Sequence, residues 1–247
     1  MWMLLHGFMG SPRSWDRVLS ACDSPDEPTV PQLLGHGDDW KRNRVASFEE
    51  EVSRLLAIAT TMTRPRYLCG YSMGARVALG MLVRGSDLFE GAILVGAHPG
   101  LDDAEARTER RAADAKRARE LRREGLVGFV DAWEAQPLFA SQRRLPSPVL
   151  EVQRQIRLSH DAEGLAACLE VLGLAEMPSL GAALSSFEIP ITLMAGALDT
   201  KFATIAENLS SKVDLLQIVE GVGHNVVLEA PEVVAMALKT REQRAHE

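Results

Sequence analysis

The sequence predicts an α/β domain: a mostly parallel central sheet flanked by helices, with a helical cap inserted in the middle of the chain. Three observations carry that expectation. Short apolar runs alternate with longer segments of helical period; the alternation stops from Leu101 to about Ser186; and it resumes from there to the C-terminus. The sheet domain is therefore assigned to residues 1–100 and 187–247, and the cap to residues 101–186.

Taken in order, the strand candidates are Met1–Leu5, Thr29–Leu33, Arg66–Cys69, Ala92–Val95, Ile191–Ala195 and Leu215–Val219, each a short apolar run. Phe48–Met62 reads as a helix because Val52, Leu55, Leu56 and Ala59 recur at steps of three and four, and Met73–Val83 reads likewise. A last helix opens at Pro231, a residue favoured at the first helical position. Within the insertion, Asp102–Glu124 carries 7 acids and 8 bases, as a solvated helix laced with i,i+4 pairs would. Leu126–Trp133 follows, then Val149–Leu158 after the Pro146-Ser147-Pro148 breaker, then Leu165–Leu174. Inserted caps of this kind sit over the carboxyl ends of the strands, where open α/β sheets bind ligands.

Composition narrows the function. With 247 residues, 46% hydrophobic and 25% charged, the chain is globular, which excludes disorder. Its 27 cations against 34 acids leave a net charge of -7, a surface that repels phosphate backbones and anionic lipid, so neither nucleic acid nor a membrane is an expected partner. Of the cations 22 are Arg and 5 Lys, leaving many planar forks suited to carboxylates. Cys22, Cys69 and Cys168 are far apart and form no CxxC, so no disulfide framework and no metal site is expected. There is no apolar run of about 18 residues, and Met1-Trp2-Met3-Leu4-Leu5-His6-Gly7 has no basic leading region; a cytoplasmic location is expected. The sequence does not set the oligomeric state, and a monomer is compatible with it.

Gly70-Tyr71-Ser72-Met73-Gly74 fits G-x-S-x-G directly after an apolar strand and before a helix, where a sharp turn would push the Ser72 hydroxyl out at the top of the sheet. A serine hydroxyl needs an imidazole to take its proton. Of six histidines, His224 stands in Gly221-Val222-Gly223-His224-Asn225, after the last strand. His6 and His36 are bracketed by turn glycine and are assigned structural roles; His246 falls in a terminal tail. Asp199 follows the preceding strand, and the order Ser72, Asp199, His224 is that of the α/β-hydrolase triad, with Asp102 or Asp103 as the substitute acid. The backbone N–H groups of Phe8, in Leu5-His6-Gly7-Phe8-Met9-Gly10, and of Met73 would form an oxyanion hole. Arg76, one turn after Ser72, places a cation near the hydroxyl, which a nonpolar ester would not require and an anionic substrate would.

With these residues placed, the chain resembles the α/β-hydrolase superfamily with a helical cap. Its cap start, His98-Pro99-Gly100-Leu101 with Ala104-Glu105-Ala106-Arg107-Thr108-Glu109-Arg110-Arg111, then Trp133 ahead of Gln136-Pro137-Leu138-Phe139-Ala140-Ser141, resembles one branch, the 2-succinyl-6-hydroxy-2,4-cyclohexadiene-1-carboxylate synthases of menaquinone biosynthesis. Asp199-Thr200-Lys201-Phe202 and Gly223-His224-Asn225 extend the likeness. The resemblance implies a lyase that eliminates pyruvate from 2-succinyl-5-enolpyruvoyl-6-hydroxy-3-cyclohexene-1-carboxylate, a small polycarboxylate, without a cofactor. It also implies that Tyr71, Arg76, Arg110, Trp133 and Arg157 contact substrate. A serine hydrolase of esters, thioesters or carbon–carbon bonds is the alternative. One departure is Gln32-Leu33-Leu34-Gly35-His36-Gly37, where relatives read Asp-x-Pro-Gly-His-Gly.

Overall fold

Successive side chains of a strand point to opposite faces, and in this chain both faces are apolar, as a sheet buried on both sides requires. In β1 (Trp2–Leu5), Trp2 and Leu4 join one core cluster while Met3 and Leu5 join the other. A computed structural model describes residues 1–22, 27–43 and 46–244; His246 lies outside them. The order continues through α1 (Asp16–Cys22), α2 (Phe48–Thr61), β2 (Tyr67–Tyr71), α3 (Met73–Gly85) and β3 (Gly91–Val95). Then come α4 (Ala104–Glu134), α5 (Ser147–Leu158), α6 (Ala162–Leu172), β4 (Ile191–Gly196), α7 (Thr200–Leu209), β5 (Leu215–Val219), α8 (Val226–Glu229) and α9 (Pro231–Arg244).

The five strands pair in chain order, β1-β2-β3-β4-β5, all parallel, so every carboxyl end points the same way and the residues that follow the strands gather at one rim. Ile93 and Val95 of β3 face Trp15, Val18, Val234 and Leu238, from the side of α1 and α9. Ala92 and Leu94 face Val52, Leu55, Val77 and Leu82, from α2 and α3. The helical stripe of α2 buries Val52, Leu55 and Ala59 as its spacing predicts, and it also buries Glu51, whose carboxylate accepts from Leu34 N–H at 3.0 Å and pairs with Arg54 at 2.7 Å.

Thr29–Leu33 does not form the expected strand. Only Thr29 bridges the outer edge of β1, through bonds of 2.9 and 2.8 Å with Leu4 N and Trp2 O. The reason is Pro31, which has no N–H for a ladder, and His6, whose Nε2 takes the Leu33 N–H at 3.1 Å. Between β3 and β4 the chain is helical as expected, but Asp102–Glu124 and Leu126–Trp133 are one element, α4, kinked at Gly125 (φ 77°). Its charges do not pair only along the helix: Arg122 reaches Glu163 and Glu170 on α6, at 2.7 and 2.5 Å. The cap has its own core, Ala118, Leu121, Phe129 and Val130 of α4 against Leu165, Ala166 and Leu169 of α6. Met9, from the loop after β1, is buried in it. Among the described residues, no helix is long and apolar enough to cross a membrane.

Candidate active site

Ser72 ends the run from β2 into α3 with φ 53° and ψ -108°, a left-handed conformation that a residue with a Cβ adopts only when its surroundings force it. The glycines force it by letting the turn close. A Cβ on Gly74 would overlap the carbonyls of Leu5 and His6, and one on Gly70 would overlap the Gly74 carbonyl. The turn lifts the Ser72 side chain above the carboxyl end of β2.

There it meets the two other predicted residues. His224 Nε2 is 2.9 Å from Ser72 Oγ, and His224 Nδ1 is 2.6 Å from Asp199 Oδ2. A carboxylate only accepts, so Nδ1 carries the proton and donates to Asp199, which leaves Nε2 free to accept from the serine hydroxyl. Asp199 also caps α7, accepting Phe202 N–H at 3.3 Å with its other oxygen, so it both starts a helix and orients an imidazole. Gly96 (φ 59°) makes room for the ring, because a Cβ there would stand 3.1 Å from His224 Cε1. The substitute acids are not used: Asp103 caps α4 by accepting Ala106 N–H at 2.7 Å, and Asp102 is exposed beside it.

Phe8 and Met73 border the same cavity, and among the described residues neither amide N–H donates to another group. The loop that carries Phe8 is closed by Gly10 N–H to Gly7 O at 3.0 Å. His6 and His36 are structural, as their glycine brackets suggest. His6 donates from Nδ1 to Gly7 O (2.8 Å) and accepts Leu33 N–H; His36 donates from Nδ1 to Leu34 O (2.9 Å) and accepts Met9 N–H (3.0 Å).

The cavity, about 250 Å³, lies between the strand ends and the cap, and Tyr71, Arg76, Arg110, Trp133 and Arg157 all line it. Trp133 forms its apolar wall with Phe8 (rings 5.2 Å apart) and Phe139 (5.8 Å). Arg157 lies over the Phe139 ring at 5.3 Å and pairs with Glu134 at 2.8 Å. Arg110 pairs with Asp114 at 2.7 Å, a carboxylate that it shares with Arg117. Arg76 differs from both. Its guanidinium donates to Leu172 O at 2.8 Å and forms no ion pair among the described residues, Asp114 acting on it only through its charge. Burial and the neighbouring Arg110 charge lower its pKa to about 10, which still leaves it charged at neutral pH. Burial pushes the Tyr71 phenol up, so it stays protonated.

Sequence reasoning assigned no role to His98 and Lys201, which also line the cavity. Both follow strand ends, His98 after β3 and Lys201 after β4, and that position was the available signal. His98 accepts Gly100 N–H at Nδ1 (3.1 Å), so its N–H is at Nε2. Burial, with Lys201, Arg76 and Arg110 nearby, lowers its pKa to about 4, so it is a neutral donor. The arrangement combines a hydroxyl backed by an imidazole, two free amides, and a pocket whose charges favour an anion.

The alpha/beta hydrolase family model matches residues 3–237. The 2-succinyl-6-hydroxy-2,4-cyclohexadiene-1-carboxylate synthase of Enterobacter sp. (strain 638) is 35% identical over 241 residues, covering 96% of this chain and 90% of that protein. Among solved structures, MenH from S. aureus superposes with a TM-score of 0.90 at 27% identity, covering 100% of this chain and 94% of that one. A thermophilic esterase from Thermogutta terrifontis, with malate bound, superposes with a TM-score of 0.77 at 26% identity, covering 100% and 90%.

Proposed function

This chain belongs to the alpha/beta hydrolase family and, within it, to the 2-succinyl-6-hydroxy-2,4-cyclohexadiene-1-carboxylate synthases, and from that premise we propose that it is a carbon–oxygen lyase of menaquinone biosynthesis. It eliminates pyruvate from 2-succinyl-5-enolpyruvoyl-6-hydroxy-3-cyclohexene-1-carboxylate. The observation that carries this reading is Arg76, a charged guanidinium with no carboxylate partner, in the cavity that holds Ser72 and His224. A half-buried cation that forms no ion pair is costly, and a substrate carboxylate would offset that cost.

The substrate has its ring alkene at C3 and the product has alkenes at C2 and C4, so the proton that leaves is on C2, beside the succinyl ketone. Ser72, its hydroxyl proton drawn to His224 Nε2, takes that proton. The C2–H electrons form the C2–C3 alkene, the C3–C4 pair moves to C4–C5, and the C5–O bond breaks. The C5–O electrons leave with the enolate of pyruvate, whose methylene carbon takes up a proton to give pyruvate while the His224 imidazolium gives up the proton it took, directly or through water, so that Ser72 and His224 end as they began. Negative charge passing through the ketone oxygen is met by the Phe8 and Met73 N–H groups, while Asp199 holds the imidazole. Tyr71, Arg110, Trp133 and Arg157 complete the pocket, with Arg110 and Arg157 held in place by Asp114 and Glu134.

The test is pyruvate release from freshly prepared substrate, corrected for spontaneous loss, with Ser72→Ala as control. Release by the wild type alone supports the lyase. No release above background, together with cleavage of p-nitrophenyl esters, would move the protein to the serine hydrolases.

A further inference from the structure

Met9 is the one described non-glycine residue besides Ser72 with a positive φ, 59°, and it directly follows Phe8. A left-handed residue with a Cβ persists only where neighbours hold it. Two imidazoles do so. His36 Nε2 accepts the Met9 N–H at 3.0 Å, and His160 stands edge-on to the His36 ring, their centroids 5.1 Å apart. His160 belongs to the cap, at the junction of α5 and α6. Its Nδ1 accepts Gly37 N–H at 2.9 Å, while Asp161 N–H donates to Gly37 O at 3.3 Å, so Gly37 is bonded to the cap in both directions. With Nδ1 an acceptor, the ring proton is at the buried Nε2, which is directed at the Met9 carbonyl.

The same contact is packed tightly on both sides. Gly35 lies against Gly164 of α6 so closely that a Cβ on either would clash, and the Met9 side chain, 1% exposed, fills the cap's own core. The loop 33–37 is thus a layer between the oxyanion loop and the cap, tied to the first by His36 and to the second by His160.

We propose that His160 is a positioning residue: through Gly37 and the His36 ring it fixes Met9, so that the orientation of the Phe8 N–H depends on the cap being seated. This rests on the reading above that Phe8 N–H meets developing negative charge. It gives the cap a second role besides walling the cavity, because a cap displaced from Gly37 leaves a strained residue beside the donor without one of its supports.

The experiment compares wild type, His160→Ala and His160→Asn by residue-resolved amide exchange and by kcat and KM for pyruvate release. In His160→Ala, exchange is expected to quicken at least about tenfold both at Gly37, which loses its acceptor, and at Met9, whose acceptor His36 loses the ring packed against it. The value of kcat should fall by about tenfold with KM within about threefold, the split expected for a transition-state interaction. His160→Asn, which keeps an acceptor at the position of Nδ1, should restore most of both. Faster exchange confined to Gly37, with kcat unchanged, overturns the proposal and leaves His160 a local tie. If the wild type releases no pyruvate, the exchange at Met9 decides alone. If His160→Ala does not fold, His160→Gln, whose acceptor is displaced by one bond, takes its place against His160→Asn.

Discussion

Ser72 Oγ and His224 Nε2 stand 2.9 Å apart although 152 positions separate them in the chain. Nothing local brings them together: the parallel order of the strands puts the residue after β2 and the residue after β5 on one rim. Because the two share one proton, removing either should cost as much as removing both. Ser72→Ala, His224→Ala and the double variant are expected to lower kcat to a similar floor, on the order of 10³-fold or more below wild type. Asp199→Asn should fall between, since it keeps a side chain of the same shape and loses the carboxylate that fixes the tautomer. Additive losses in the double variant would show that the pair does not act as a unit.

The strain at Ser72 separates two inactive variants. Its φ of 53° disfavours any residue with a Cβ by about 1 kcal/mol or more, and glycine escapes that cost. Ser72→Gly should therefore be more stable than Ser72→Ala by about 1 kcal/mol, although both lack the hydroxyl. Urea unfolding of the two proteins measures the difference. Equal midpoints would mean that the elbow relaxes when the serine is removed.

Ser72, Asp199 and His224 were legible in the sequence because each lies just past an apolar run, where the chain must turn, and parallel strands align those turns. The faces of β1 and β3 were legible for the same reason, a period of two. Thr29–Leu33 was not, because its apolar character resembles a strand while Pro31 and the His6 acceptor divert its backbone. His160 was illegible: its partner Gly37 is 123 positions away, and a lone histidine between two helical segments carries no local sign of a tertiary role. The pairing of Arg157 with Glu134 was hidden likewise, since the partners sit on different helices.

Arg76 should govern substrate charge rather than chemistry. Arg76→Gln removes the cation and keeps a donor of similar length, so kcat/KM for the carboxylated substrate is expected to fall by about 10- to 100-fold, the worth of a charge-assisted hydrogen bond. Cleavage of a neutral p-nitrophenyl ester, where it occurs, should change by less than about threefold. Equal losses on both substrates would assign Arg76 to the shape of the elbow, through its bond to Leu172 O, instead of to recognition.

Three buried imidazoles make stability fall in mild acid. Burial lowers the pKa of His6 to about 3 and of His160 to about 4, and holds His36 well below the ordinary value of 6.5. Each of the three also accepts a backbone N–H, which a protonated ring nitrogen cannot do. An unfolded histidine takes up its proton near pH 6.5. From about pH 6.5 down to about 4 the unfolded chain therefore binds more protons than the folded one, so the contribution is complete above 6.5 and is lost as pH falls. Each histidine contributes up to about 1.4 kcal/mol per pH unit, and the three together on the order of 4. Urea unfolding at pH 7.5, 6.5, 5.8 and 5.2 isolates this slope, because most carboxylates titrate lower. In His36→Gln, which keeps a side-chain acceptor without a titrating ring, the slope should drop by about one quarter relative to wild type, because His98, its pKa also lowered to about 4, is a fourth ring on the same slope. Stability that stays flat from pH 6.5 to 5.2 would mean that these rings take up protons in the folded protein without losing their backbone partners.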